Sequence, residues 1–240
     1  TGQLLSGRSD LLLEGVIEPD RTGAVIDIFT FSSSRLSAQG RGRVAREGQV
    51  DLTASVSPQP GAGALRFGEG ASQVRLAVPE ATVRINGNAG EAGMHLEFAT
   101  SSVSGSDFSA DGVALVTDFE RFSLNTSSGS GSGTVSVRID AVGSSNDIAA
   151  RAVAGGVSLS GPIALGEDGS ISSEALQLRT GVAAVTIEDF SFDGAGALAA
   201  SLSGSIRNAV LSARAQEALG PDTIFQAEVS RDEAGAVTVS

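Results

Sequence analysis

Apolar side chains alternate with small or polar ones in one segment after another, which is the period-two pattern of strands with one buried face. The clearest instance is the run from Val50 to Val56. The residues that this alternation assigns to an apolar lining are Val50, Leu52, Val56, Val74, Leu76, Val78, Val83, Ile85, Met94, Leu96, Phe98, Val135, Val137, Ile139, Leu176, Leu178, Val185, Ile187, Leu198, Leu202 and Ile206. The pattern predicts an all-β protein.

The connections between these runs have the composition of tight turns. They read EPDRTG (18–23), AREG (45–48), NGNAG (86–90), GEDG (166–169) and RDEAG (231–235). Gly, Asn and Asp adopt the positive φ angles that short hairpins need. A parallel sheet would instead need helical crossovers of a dozen residues. The chain is therefore predicted to be a long antiparallel meander.

Two segments depart from this pattern. The sequence VLSARAQEAL (210–219) ends at Gly220-Pro221, which predicts one short helix near 215–219 with strand before it. The sequence SSGSGSG (127–133) has the composition of a flexible loop. Strands of the same character resume on both sides of it, so residues 1–240 are predicted to form a single continuous β segment.

Composition and charge exclude several classes of partner. Of the 240 residues, 41% are hydrophobic but only 4% are aromatic, and 31 are Gly, so the apolar side chains are mostly thin and short. The net charge of −12, with Arg as the one basic residue type, opposes binding to nucleic acid or to an anionic membrane surface. No apolar run approaches the roughly 20 residues of a membrane-spanning helix. A chain that begins at Thr1 is expected to be a mature or excised piece of a longer protein.

The residues that could carry catalysis are few. The single His95 falls on the polar phase of its strand, where it is expected to face solvent, and the chain contains no Cys. The carboxylate pairs Asp118/Glu120 and Glu188/Asp189 lack the Trp and Tyr surface that binds sugars. The expectation is a protein that is not an enzyme, with no catalytic residue, no metal site and no cofactor.

The aliphatic face of so many strands needs cover, either from a second sheet or from bending of the sheet into a trough. Small Ala, Gly and Ser residues lie among the Val and Leu residues, and they leave space in such a trough. Burial contributes about 0.8 kcal/mol per methylene, so an acyl chain of roughly 16 carbons gains on the order of 10 kcal/mol. Acyl chains are therefore the ligand that such a trough is expected to hold.

Two stretches carry a family resemblance. The segment RAQEALGPDTIFQAEVSRDEAGAVTVS (214–240) resembles the recurring unit of TamB-type proteins, and residues 147–194 show the same alternation. The resemblance to the TamB and AsmA-like family implies a U-shaped, taco-like β-sheet with a hydrophobic groove, in the periplasm. It implies conduction of phospholipids between the inner and outer membranes and support of outer-membrane protein assembly.

The same resemblance implies that the full-length protein is anchored in the inner membrane. It also implies an Omp85-type outer-membrane barrel as partner, contacted through regions outside this segment. The family has no catalytic residues to carry over. The alternative is a structural β-solenoid, the passenger or adhesin of a secreted surface protein, which shares the acidic, Gly-, Ser- and Ala-rich composition. A solenoid would show parallel coils of near-constant length.

Overall fold

The computed structural model describes residues 9–17, 23–45, 48–67, 73–106, 108–124, 129–145, 147–208, 213–232 and 235–240. The strands are β1 (Asp10–Ile17), β2 (Ala24–Ser32), β3 (Leu36–Val44), β4 (Gln49–Pro58), β5 (Leu65–Phe67), β6 (Val74–Ala77), β7 (Glu80–Asn88), β8 (Glu91–Ser104), β9 (Phe108–Ser123), β10 (Ser130–Ser144), β11 (Val157–Leu165), β12 (Ile171–Thr180), β13 (Ala183–Phe192), β14 (Leu198–Arg207), β15 (Asp222–Arg231) and β16 (Val237–Val239). The helices are α1 (Asp147–Ala152) and α2 (Ala213–Leu219).

The described strands form one 16-stranded sheet in which each strand pairs antiparallel with its sequence neighbour almost throughout. The exceptions are β5 and β6, which lie off the main path. β6 continues the line of β7 along β8, because β7 pairs with Glu91–Ala99 of β8 and β6 pairs with Ser102–Ser104. The edge strands β1 and β16 do not pair with each other, so the sheet does not close. The prediction of an all-β antiparallel meander is confirmed.

The turns within the described residues have the geometry that their Gly and Asn residues predict. At GEDG the amide of Gly169 donates to the carbonyl of Gly166 (3.0 Å), and Gly169 has a φ of 81°. At NGNAG the Asn88 side chain accepts a hydrogen bond from the amide of Gly90 (3.1 Å). Residues 18–22, 46–47 and 233–234 of the other predicted turns lie outside the described residues.

The segment 127–133 differs from the prediction of a flexible loop. Residues 127 and 128 lie outside the described part of the chain, but Ser130–Gly133 belong to β10 and pair with β9 and β11. The loop prediction is therefore wrong for residues 130–133. Gly131 and Gly133 are tolerated in the strand because they lie opposite the large side chains of Phe122 and Phe119.

The predicted short helix is present and begins two residues earlier than expected, at Ala213. Buried Asn208 connects the C-terminal end of this helix to the sheet: its side-chain amide donates to the carbonyl of Gly220 (2.8 Å), and its side-chain oxygen accepts from the Thr223 hydroxyl (2.9 Å). The strand expected before the helix, at 210–212, lies outside the described residues.

Helix α1 is not predicted by the alternation pattern. Its local signals are nevertheless in the sequence: Asp147 lies in the first turn, Arg151 in the last, and Gly155-Gly156 follow shortly after. Among the described residues, neither helix is long and apolar enough to cross a membrane.

Candidate functional site

The strand registers bring apolar residues into rows that run across the sheet, perpendicular to the strands. Directly paired residues share a face, so each row is read from one strand to the next. The first row, called the Val56 row, runs from β1 to β15 through Leu11, Phe31, Ala38, Val56, Ala81, Phe98, Leu115, Val137, Leu159, Leu178, Val185, Gly204 and Phe225. It contains no polar side chain.

Three further rows lie on the same face, which we call the apolar face. The Leu96 row contains Leu13, Phe29, Gly40, Ala54, Val83, Leu96, Thr117, Val135 and Gly161, and on later strands Leu176, Ile187, Leu202 and Ala227. The Leu52 row contains Gly42, Leu52, Ile85, Met94, Phe119, Gly133 and Ile163. The Val50 row contains Val44, Val50, Gly87, Ala92, Phe122, Gly131, Leu165, Ile171, Phe192 and Leu198.

Most residues of the predicted lining are brought together in these rows. Ile139 and Ile206 lie on the same face, two residues along their strands from Val137 and Gly204 of the Val56 row. They pair with Val113 and Ala183, respectively. Val74, Leu76 and Val78 do not join these rows. The strand registers therefore keep most of the apolar residues that the sequence predicts on the same face from one strand to the next.

Sequence reasoning missed the two most buried aromatic residues of the apolar face. Phe119 is 4% exposed and Phe122 is 8% exposed, and their rings meet edge to face with centroids 5.6 Å apart. Their spacing of three residues breaks the period of two, because the register between β9 and β10 shifts between them. The apolar residues of β1 to β3 were also missed. The signal that finds them is the same alternation in LSAQGRGRV and in AVIDIFTFS.

Glycines in the rows allow neighbouring strands to approach each other closely on the apolar face. A Cβ atom at Gly133 would lie 2.6 Å from the Cα of Phe119, which is closer than packed atoms allow. A Cβ at Gly204 would lie 2.9 Å from the Cα of Val185. Neighbouring backbones therefore converge on this face, as they do on the inner side of a curled sheet.

The apolar face is only partly covered. Its few fully buried apolar residues include Val50, Phe119, Val135 and Leu176, whereas most of the other row members are half-exposed. The accessible surface is 14457 Å², compared with about 10,000 Å² expected for a compact globule of 24.0 kDa. The inner face is therefore an open groove and not the interior of a sandwich.

A line of irregular backbone, which we call the crease, runs from the β6–β7 connection across β8 and β9 to β10. The ladder is interrupted at Val78, Ser101, Gly112 and Asp140, and the φ angles of Val78 and Gly112 are 50° and 61°. The hydroxyls of Thr100 and Ser101 donate to the carbonyl of Ala77 at 2.5 and 3.0 Å. Side chains thus replace ladder hydrogen bonds along this line.

The crease explains why three predicted lining residues are separated from the rest. Val78 lies at the crease and is 56% exposed. Val74 and Leu76 lie across it, on β6. There a separate apolar row is formed by Leu65, Leu76, Val103, Ala110 and Val142.

The opposite, polar face carries the charged residues. One row on it contains Arg41, Thr53, Arg84, His95, Asp118 and Thr134. His95 lies on this polar face, with Nδ1 2.5 Å from Oδ1 of Asp118 and Nε2 3.0 Å from Oε1 of Glu97. These hydrogen bonds, first that of Asp118 and then that of Glu97, raise the pKa of His95 above its ordinary value.

The carboxylate pairs singled out in the sequence are not gathered into one site. Asp118 bonds to His95, while Glu120 is an exposed residue near the register shift of β9. Glu188 and Asp189 are exposed on β13, where the register also shifts. Within the described ranges, no group of three or more carboxylate or imidazole side chains is arranged to hold a metal ion.

Comparison with known proteins gives no further constraint on the site. No protein-family model, no curated protein and no solved structure matches the chain.

Proposed function

We propose that this chain is a periplasmic segment of a TamB/AsmA-like protein that conducts phospholipids between the inner and outer membranes through its apolar groove. In the full-length protein this segment belongs to a chain anchored in the inner membrane, which partners an Omp85-type barrel and supports outer-membrane protein assembly. In this proposal the groove transports lipid and requires no catalytic residue.

The observation that carries the proposal is the uninterrupted Val56 row, which crosses the sheet from β1 to β15 on a half-exposed face. Water contact with so much aliphatic surface is costly, at roughly 25 cal/mol per Å². Acyl chains laid along the rows remove that contact. Because the Val56 row is continuous and contains no polar side chain, an acyl chain can shift along it without losing a specific hydrogen bond, which is what conduction requires.

The alternative of a β-solenoid passenger or adhesin predicts parallel coils. Every pairing among the described strands is antiparallel. A solenoid also seals its core, whereas the apolar face here stays half-exposed. No structural observation therefore favours a solenoid function.

Site-specific photocrosslinking tests the proposal. A photoreactive residue is placed at Leu52, Leu96 or Leu178, and each variant is incubated with vesicles of phosphatidylethanolamine and phosphatidylglycerol and irradiated. These three positions lie on the apolar face and should form adducts with phospholipid, detected by mass spectrometry of the protein.

Matched control probes stand at the neighbouring positions Asp51, Glu97 and Gln177, which are exposed on the polar face. These controls should not capture lipid. Equal labelling at both sets of positions would contradict the proposal. Phospholipid recovered by extraction of the purified chain would support it independently.

A further inference from the structure

Thr117 places a hydroxyl group on the apolar face. It lies in the Leu96 row, where it pairs with Leu96 on β8 and with Val135 on β10. Both pairings fall within unbroken stretches of register, residues 94–100 of β8 and residues 133–139 of β10. The position of Thr117 on this face therefore follows from regular pairing alone and does not involve the crease.

The hydroxyl of Thr117 is buried without a hydrogen-bond partner among the described residues. Thr117 as a whole is 7% exposed. Other buried hydroxyls of the described chain do have partners: that of Thr100 donates to the carbonyl of Ala77 (2.5 Å), and that of Ser173 donates to the carbonyl of Pro162 (2.6 Å). Proteins rarely bury a hydroxyl without a partner, because the lost hydrogen bonds to water are then not replaced.

The neighbours of Thr117 on the apolar face are all described. They are Leu96 and Val135 across the sheet and Leu115 and Phe119 along the strand, and none of these side chains has a hydrogen-bonding group. Thr117 lies six residues before the end of β9, which is about 20 Å along a strand. The hydroxyl is therefore surrounded by hydrocarbon, and a bound molecule is the remaining source of a partner.

The surroundings of the hydroxyl select the chemistry of that partner. A buried water molecule needs about two to four polar partners, and the neighbouring side chains offer only Thr117 itself. A phosphate or a carboxylate would lose its hydration in an apolar environment, which is costly for an ionised group. A neutral ester carbonyl fits best, because its oxygen accepts the hydrogen bond while the attached acyl chain contacts apolar side chains.

The hydroxyl can be reached without a change in the backbone. Leu96 and Leu115, which lie beside Thr117, are half-buried. Side chains at a partly exposed surface change rotamer readily, on a scale of nanoseconds or less. Rotation of these two leucines therefore gives a ligand access to the hydroxyl while the strand ladder stays intact.

The Leu96 row has room for a whole acyl chain beyond Thr117. From β9 the row continues across six more strands to Ala227 on β15. At a spacing of about 4.8 Å between strands this is about 29 Å. One acyl chain spans about 15 Å, half of a roughly 30 Å hydrocarbon core.

We infer that the Thr117 hydroxyl donates a hydrogen bond to an ester carbonyl of a lipid whose acyl chain lies along the Leu96 row. The inference rests on the proposed function and deepens it, because it makes lipids with ester-linked acyl chains the preferred ligands of the groove. Thr117 is then a specificity-determining residue beside the Val56 row, which contains no polar side chain.

The test compares the full chain with T117V, which replaces the hydroxyl with a methyl group of nearly the same shape. The probes are dioctanoylphosphatidylglycerol and its dioctyl ether analogue, which keeps the headgroup and the chain length but lacks both carbonyls. Calorimetry gives the affinity for each lipid. The ratio of ester affinity to ether affinity should be about fivefold lower in T117V than in the wild type, as expected for the loss of one hydrogen bond.

Two matched variants control for the substitution itself. T117S keeps the hydroxyl and should keep the wild-type affinity ratio. T134V makes the same chemical change at an exposed residue of β10, next to Val135 but on the polar face, and should also leave the ratio unchanged.

Thermal unfolding tests the premise independently of lipid. T117V should unfold at the wild-type temperature or above it, because the variant no longer buries an unpartnered hydroxyl. A lower unfolding temperature of T117V would show that the hydroxyl has a partner within the protein and would overturn the inference.

The binding outcomes separate the two proposals. An equal affinity ratio in wild type and T117V would overturn the contact with Thr117 and leave the proposed groove function intact. A fall of the ratio in T134V as large as that in T117V would also overturn the contact. Failure of the wild type to bind either lipid would overturn the proposed function itself.

Discussion

His95 is the residue whose surroundings respond most directly to pH. A protonated imidazolium donates through both ring nitrogens, to Asp118 and to Glu97, whereas the neutral ring can donate through only one. Arg84 lies opposite it on β7. The folded state therefore binds the His95 proton more tightly than the unfolded chain does, which is what a raised pKa means.

The expected consequence is a pH-dependent stability. Since the folded pKa lies above the ordinary 6.5, the contribution of His95 is fully present below that value and is lost as pH rises through the folded pKa. The stability difference between the wild type and H95Q should be largest near about pH 5.5 and should shrink by about pH 9. Urea unfolding across this range measures it. A difference that does not vary with pH would show that the two hydrogen bonds do not depend on the proton.

At the scale of the element, the close approach of neighbouring strands depends on how β10 pairs with β9. Gly131 and Gly133 lie opposite Phe122 and Phe119, and each pair combines a residue without a side chain with a buried ring. The rings fill the space that the glycines leave, so neighbouring backbones can approach closely on the inner side. The Gly- and Ser-rich composition that suggests a loop here allows β10 to pack closely against β9.

Replacing Gly133 with Ala should therefore destabilise the protein. The new Cβ would meet the backbone of Asp118 and Phe119, which cannot move aside as a flexible side chain would. The expected loss is about 1–3 kcal/mol in the free energy of unfolding, measured with urea. The control is Gly63→Ala, because a Cβ there meets no atom within 4 Å, and its effect should stay within about 0.5 kcal/mol. Equal effects of G133A and G63A would contradict a role of Gly133 in the close approach of β9 and β10.

At the scale of the whole molecule, both edges and the inner face of the sheet are open. β1 is exposed along its whole length, including Leu11 at 67% and Ile17 at 71%. An apolar edge of this kind can pair with another strand. The accessible surface exceeds that of a globule of the same mass by nearly half.

Small-angle X-ray scattering should detect this open shape. A compact domain of 240 residues has a radius of gyration of about 18 Å, and the curled sheet should give a clearly larger value. A dilution series separates the monomer from species joined through β1. A concentration-independent value near about 18 Å would mean that the apolar faces pack against each other in solution, and the groove would then not exist.

The fold class was predictable from the chain because a period of two and turn chemistry are local properties. The alternation around Leu52, Leu96 and Leu178 identified the side of each strand that lies on the apolar face. It failed where the backbone departs from regular strand geometry. The register shift between Phe119 and Phe122 hid the most buried rings, and the crease separated Leu76 from the groove.

The sequence by itself determined that the chain forms antiparallel strands with one apolar phase and where several of the hairpins turn, since each of these depends on neighbouring residues. Only the tertiary structure decided which apolar residues form continuous rows, because a row depends on the register between strands far apart in sequence. It also decided that the sheet curls without closing, and that Thr117 lies between Leu96 and Val135. Both outcomes depend on the convergence of separate backbones, which no single segment encodes.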